Sequence, residues 1–193
     1  LIDRCASVYV APLFPYALHV ARAGVRFALG ASLTDAFYSS RRFSADLLEL
    51  LASRPIRGAV AYSTAMAPFV PAELPLVLDM ADVDSEKWRA YARYRKPSFL
   101  FQTEAERLAR LEASQARRAR VTLVTTAAER EALLRIAPGV ECEVMENGVD
   151  FDFFDPERLP AHSALAGRRY LLFCGQLDYY PNEQGILAFA REI

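Results

Sequence analysis

The sequence predicts an α/β protein built on a parallel sheet, and three observations carry that reading. Short apolar runs alternate with helical stretches from Cys5 to Met145. The strands are continuous apolar runs rather than alternating ones, as strands covered on both faces require. Apolar residues make up 53% of the 193 positions, enough for a real core and too many for a disordered chain.

Each element has its own warrant. Cys5–Leu13 is an apolar strand run ending at Pro12, and Pro15–Leu29 is an apolar helix with Gly30 as its stop. His19 inside it reads as a packed or solvent-edge residue. Ser32–Arg42 reads as a polar, aromatic loop. Its Tyr38, Ser39, Ser40, Arg41 and Arg42 suit a solvated loop first, and an anionic or sugar ligand second. Ser44–Ser53 is a helix with Leu47, Leu48, Leu50 and Leu51 inward, ended by Pro55. Gly58–Tyr62 is a buried strand, after which Ser63 or Thr64 caps a short helix before Pro68. Leu76–Leu78 is the next strand. A helix continues from the Asp82–Trp88 region to about Arg95, and Pro97 allows another that reaches about Arg118. Val121–Val124 is a strand, Thr126 and Glu129 make a capping box, and Glu141–Met145 is a strand.

The stretch Glu146–Pro156, E-N-G-V-D-F-D-F-F-D-P, marks a change of domain. Asn147-Gly148 is a turn dipeptide whose residues tolerate positive φ. Phe151, Phe153 and Phe154 are suited to pinning the connection to a core, and Asp150, Asp152 and Asp155 keep it wet. An apolar strand, Tyr170–Cys174, and a new helix follow. The expected domains are residues 1–145, a crossing at 146–168, and the start of a second Rossmann-like domain at 169–193.

A net charge of −1 gives no general attraction to nucleic acid or anionic lipid. The 21 arginines and 2 lysines are scattered among acids, which reads as composition rather than a binding stripe. Cys5, Cys142 and Cys174 lack metal or redox spacing and sit in or beside apolar runs, so buried thiols in a reducing compartment are expected. No run of roughly 18 apolar residues suggests a transmembrane helix. The start does not read as a signal peptide.

In a parallel sheet, ligands bind beyond the carboxyl ends of the strands. The candidates are therefore Ser63-Thr64, Asp82–Trp88, Thr125-Thr126 and Gly175–Asn182. The segment D-V-D-S-E-K-W at Asp82–Trp88 gathers carboxylates, a hydroxyl, an ammonium and an indole. Asp84 or Ser85 is also what a helix N-cap needs, and acids in a first turn suit the helix dipole without any metal. Trp88, Tyr91 and Tyr94 form an aromatic stripe that reads as core before sugar platform. Gly175 follows a strand and precedes a helix, a join that lets backbone N–H groups approach phosphate but also arises from packing alone.

Taken in order, D-M-A-D-V-D-S-E-K-W, Glu104 and Glu112 on the next helix, V-T-T-A-A-E, E-N-G-V-D and G-Q-L-D-Y-Y-P-N resemble glycosyltransferase family 4 of the GT-B fold. Within it they resemble the sugar transferases of bacterial PEP-CTERM/exosortase exopolysaccharide systems. The resemblance covers about residues 58–193 and weakens before that. It implies an incomplete amino-terminal Rossmann-like domain facing the acceptor, and the first β-α unit of a donor-side domain. It implies transfer of a sugar from a nucleotide-sugar donor to a glycan or lipid-linked acceptor, with no metal, no cofactor and no nucleic-acid partner. Location would be cytoplasmic, with peripheral inner-membrane contact through basic, apolar surfaces as a secondary expectation.

Carried over by position, Ser63, Thr64, Asp82, Asp84, Ser85, Lys87 and Trp88 would line the acceptor side of the cleft. Asn147, Gly148 and Asp150 would form the crossing. Gly175, Gln176, Asp178, Tyr179 and Asn182 would form a donor-side loop near the pyrophosphate. Two departures stand out. Gln176 and Pro181 occupy places where many relatives carry an Arg and a Lys that clamp phosphate. The family's acidic pair would lie beyond Ile193 and its first glycine loop before Leu1, so no catalytic residue is assigned and this chain alone is expected to be inactive. Arg107, Arg110, Arg117, Arg118 and Arg120 read as a solvated, ion-paired face. Two other classes stay open: a nucleotide-sugar epimerase of the same fold, and a non-catalytic α/β interaction module.

Overall fold

The computed structural model describes residues 5–12, 16–155, 157–158 and 167–193. The chain divides into two units between Asn147 and Gly148.

The first unit is α/β. It holds a four-stranded, all-parallel sheet in the order β1 (Ala59–Tyr62), β2 (Leu76–Ala81), β3 (Val121–Val124), β4 (Cys142–Val144). Helices α1 (Tyr16–Ala28), α2 (Leu33–Tyr38) and α3 (Arg41–Ser53) precede the sheet. A 3-10 turn, Thr64–Phe69, joins β1 to β2. Helices α4 (Asp84–Tyr94) and α5 (Ser98–Arg118) join β2 to β3, and α6 (Ala127–Ile136) joins β3 to β4. This arrangement is compatible with a Rossmann-like fold.

Spatial order equals chain order, so every crossover steps the same way. Parallel crossovers share one hand, which stacks these connections on one face of the sheet. Burial follows. Across the strands, Ala61, Leu78, Thr122 and Cys142 form one row, all buried. Leu76, Met80 and Val124 complete that face against Ala113 and Ala116 of α5 and Ala132 and Leu133 of α6. The opposite face carries Val60 and Tyr62, 72% and 68% exposed. The expectation of a sheet covered on both faces is thus corrected: among the described residues one face is covered. Alanines let α5 lie close to its neighbours, since Ala105, Ala109, Ala113 and Ala116 are all buried along one side of it.

Several local readings change. Residues 5–12 form no strand, because no neighbouring strand pairs with them; Arg54 donates to Ser7 Oγ (3.0 Å) and Tyr9 Oη (3.2 Å) instead. Ser32–Arg42 is not a loop. Ser32 Oγ accepts from Asp35 N (3.1 Å) and starts α2, and Ser40 Oγ accepts from Phe43 N (3.2 Å) and starts α3. Leu48 on α3 is 58% exposed, and that helix buries no residue fully. Gly30 does end α1: its φ of +105° turns the chain while its N–H returns to the Phe27 carbonyl. Two of the arginines read as a solvated face are structural. Arg118 donates to the carbonyls of Ala67 (3.0 Å), Val70 (2.7 Å) and Pro71 (3.0 Å). Arg107 donates to those of Phe27 and Ala31 at the end of α1.

The second unit contains α7 (Tyr180–Glu192). Tyr170–Cys174 is apolar but forms no strand, and a parallel strand exists only with a partner. Phe151, Phe153 and Phe154 are 81%, 67% and 61% exposed, so they pin nothing to a core. Neither Asn147 nor Gly148 takes positive φ. Pro156 and residues 159–166 of the expected crossing, with residues 1–4 and 13–15, lie outside the described residues. Of the cysteines, Cys142 is buried, while Cys5 and Cys174 are exposed, against the expectation of three buried thiols.

Candidate functional site

The carboxyl ends of β1 and β2 carry two backbone irregularities. Ser63 leaves β1 with φ +70°, and Ala81 ends β2 with φ +61°, both costly for residues with a Cβ. The register between β2 and β3 shifts between Asp79 and Ala81, a bulge of the kind that re-aims side chains. Its result is local: Thr125 Oγ1 donates to the Asp82 carboxylate (3.0 Å) and to the Ala81 carbonyl (3.1 Å).

Beyond these ends lies a cavity of about 730 Å³. Tyr62 and Ser63 line it from β1, Ala65 and Met66 from the 3-10 turn, and Asp84, Lys87 and Trp88 from α4. Helices α1 and α2 supply the opposite wall through Tyr16, Val20, Thr34, Phe37 and Tyr38. The wall is mostly aromatic and aliphatic, with one carboxylate, one ammonium and two hydroxyl-bearing aliphatic side chains. Asp84 and Lys87 form an ion pair one turn apart. Trp88 packs against Tyr91 (6.0 Å between centroids) and Phe101 (5.9 Å), which fixes the indole. Tyr94 departs from the expected stripe and is 70% exposed.

The start of α4 differs from the expectation of an Asp84 or Ser85 cap. The N-cap position is Val83, which offers no side-chain acceptor. Carboxylates from elsewhere serve instead. Glu129 Oε2 accepts from Val83 N (2.6 Å), and Glu112 Oε1 accepts from Ser85 N (3.0 Å). The capping box at Thr126 is therefore half made: Thr126 Oγ1 accepts from Glu129 N (3.2 Å), while the Glu129 carboxylate reaches across to α4. A helix N-terminus with its donors taken by two carboxylates has little left for a phosphate. Glu104 does the same for α2, accepting from Ser32 Oγ, Thr34 N and Thr34 Oγ1 at 2.9–3.1 Å and so holding the α2 wall in place.

Glu112 is fully buried, and burial pushes its carboxyl from the usual 4.5 up to about 7, with Ser85 pulling the other way and Asp84 adding to the rise. Glu112 Oε2 and the buried Ser85 Oγ have no hydrogen-bond partner among the described residues.

Of the acceptor-side candidates, Ser63, Asp84, Lys87 and Trp88 line one cavity. Thr64 is buried beside it, Asp82 turns to Thr125, and Ser85 lies beneath, so these three do not line it. Ser63 does not cap the turn, since its side chain makes no capping bond. The α1 and α2 residues were missed apart from Tyr38. The aromatics of Tyr16 and Phe37–Tyr38 were the available signal.

In the second unit, Asn182 Nδ2 donates to the Gln176 carbonyl (3.0 Å), and Tyr179 N reaches the same oxygen (3.3 Å). A Cβ on Gly175 would stand 2.8 Å from Asn182 Nδ2 and 3.0 Å from the Phe173 ring, so close approach explains this glycine. Gln176, Asp178 and Tyr179 are exposed. Asp150 Oδ1 accepts from Phe153 N (2.9 Å) in a local turn. Among the described residues, no group of three His, Cys, Asp or Glu stands together to hold a metal ion, and no helix is long and apolar enough to cross a membrane. No family model, curated protein or solved structure matches the chain.

Proposed function

We propose that the chain is the acceptor-side part of a GT-B glycosyltransferase, joined to the beginning of its donor-side domain. The observation that carries the reading is the cavity at the carboxyl ends of β1 and β2, where Ser63, Asp84, Lys87 and Trp88 meet aromatic walls from α1 and α2. Aromatic faces pack on the C–H faces of sugar rings, and a fixed carboxylate and ammonium exchange hydrogen bonds with hydroxyls. The order of the sequence motifs supports the same reading. So does the start of α4, whose bound carboxylates suit a neutral polyol better than a free anion there.

The chemistry proposed for the first unit is positioning of an acceptor hydroxyl, and the role proposed for the Gly175–Asn182 loop of the second unit is contact with a donor's diphosphate. The donor is a nucleotide-sugar and the acceptor a glycan or lipid-linked sugar, as in exopolysaccharide assembly. No residue described here is assigned to bond cleavage.

Trp88 is the single tryptophan, so its fluorescence reports on this cavity alone. Titration of the chain with a panel of oligosaccharides and glycolipid analogues is the test. Saturable quenching that Asp84→Ala weakens tenfold or more supports the reading. No quenching by any glycan sinks it.

A further inference from the structure

A second concavity, about 310 Å³, lies beside the first. Its lining includes Arg22 and Arg26 from α1 and Arg41 from the first turn of α3, with Ser39 and Ser40 between them. No carboxylate belongs to this lining. Asp35 pairs with Arg26 from the side (3.3 Å). Arg22 and Arg41 make no ion pair among the described residues. The neighbouring Arg42 is different, since it turns to Asp46 (3.8 Å).

The exposed Arg22 and Arg41, with Arg26 beside them, thus line one concavity that has no carboxylate in its lining, a setting suited to an anion. The donors are also suited to one. The Ser40 hydroxyl already accepts from Phe43 N, which leaves its proton to give. The amides of Arg41 and Arg42, first in the thirteen-residue α3, have no intrahelical acceptor. The volume equals that of about ten water molecules at ~30 Å³ each, room for a phosphate or diphosphate with part of its hydration.

The pocket is also connected. A smaller concavity of about 140 Å³ shares Tyr38 and Met66 with the aromatic cavity, and Ser40 and Phe69 with the arginine pocket. The three are therefore neighbours along one side of the first unit, from aromatic to cationic.

We propose that Arg22, Arg26 and Arg41 form a binding site for a phosphate or diphosphate group, carried by a ligand whose remaining part extends past Tyr38 into the aromatic cavity. The anion site stands on the arginines alone. That the ligand is the sugar acceptor, and hence a phosphate-bearing one, rests on the glycosyltransferase reading.

The test is calorimetric titration of the whole chain with inorganic pyrophosphate at low and moderate salt. Saturable binding that weakens as salt rises is expected. Arg22→Gln/Arg41→Gln should weaken it at least tenfold, and Arg42→Gln should leave it within twofold. Arg26 is spared because its pair with Asp35 ties α1 to α2. Circular dichroism checks that each variant is folded. No binding by the wild-type chain overturns the site, as does equal binding by the folded double variant. Flotation with vesicles of phosphatidylcholine alone or with a tenth of phosphatidic acid separates the sources. Capture by the anionic vesicles that the double variant loses assigns the phosphate to a lipid headgroup, and pyrophosphate binding without capture assigns it to a soluble ligand. Pyrophosphate binding with no glycan quenching would leave the anion site standing and remove the glycosyltransferase reading; glycan quenching without pyrophosphate binding would do the reverse.

Discussion

Glu112 accepts one backbone hydrogen bond, from Ser85, and is otherwise enclosed at the foot of α4. Its carboxyl is raised to about 7, so the folded chain holds a proton that the unfolded chain releases near 4.5. Stability from this group is present below pH 4.5 and is lost as pH rises towards 7, on the order of 3 kcal/mol in total. Urea unfolding followed from pH 5 to pH 8 should show that fall, and Glu112→Gln should flatten it while keeping the acceptor for Ser85 N. Glu104, also buried, has its oxygens bonded to both hydroxyls and amides. Glu104→Ala strands several buried donors and should cost about 3 kcal/mol, read as a lower urea midpoint.

At the scale of elements, the sheet and α5 are coupled through small residues. Leu78 at the centre of β2 is fully buried, and Leu78→Ala should cost about 2–5 kcal/mol in chemical unfolding. Ala113→Leu forces a larger group between α5 and the sheet and should cost about 1–3 kcal/mol. In the second unit, Gly175→Ala meets Asn182 and Phe173, so Asn182 must give up the Gln176 carbonyl. The expected outcome is faster amide exchange across residues 175–183, measured by mass spectrometry.

Across the whole chain, the buried hydrophobic cluster runs from Ala61 to Cys142. Thiol titration should therefore find Cys5 and Cys174 reacting at once and Cys142 only on unfolding, its thiol also raised by burial. The four strands of the sheet, the long helices and the Thr126 cap were legible because each depends on its own residues: β3 and α5 stand where the apolar runs and Pro97 put them. What stayed hidden depends on partners far along the chain. Nothing near Val83 reveals that Glu129 and Glu112 cap α4, 46 and 27 residues from the amides they serve. Nothing in Ser32–Arg42 shows that Glu104 orders it into a helix, and the cavity wall on that side went unread for the same reason. The one-sided sheet has a colloidal consequence. Among the described residues, strand β1 ends the sheet with one edge unpaired and with Val60 and Tyr62 largely exposed. Such strands template association between molecules as concentration rises. Light scattering of the chain should grow with concentration, and Val60→Lys, which sets a charge on that edge, should hold the protein monodisperse.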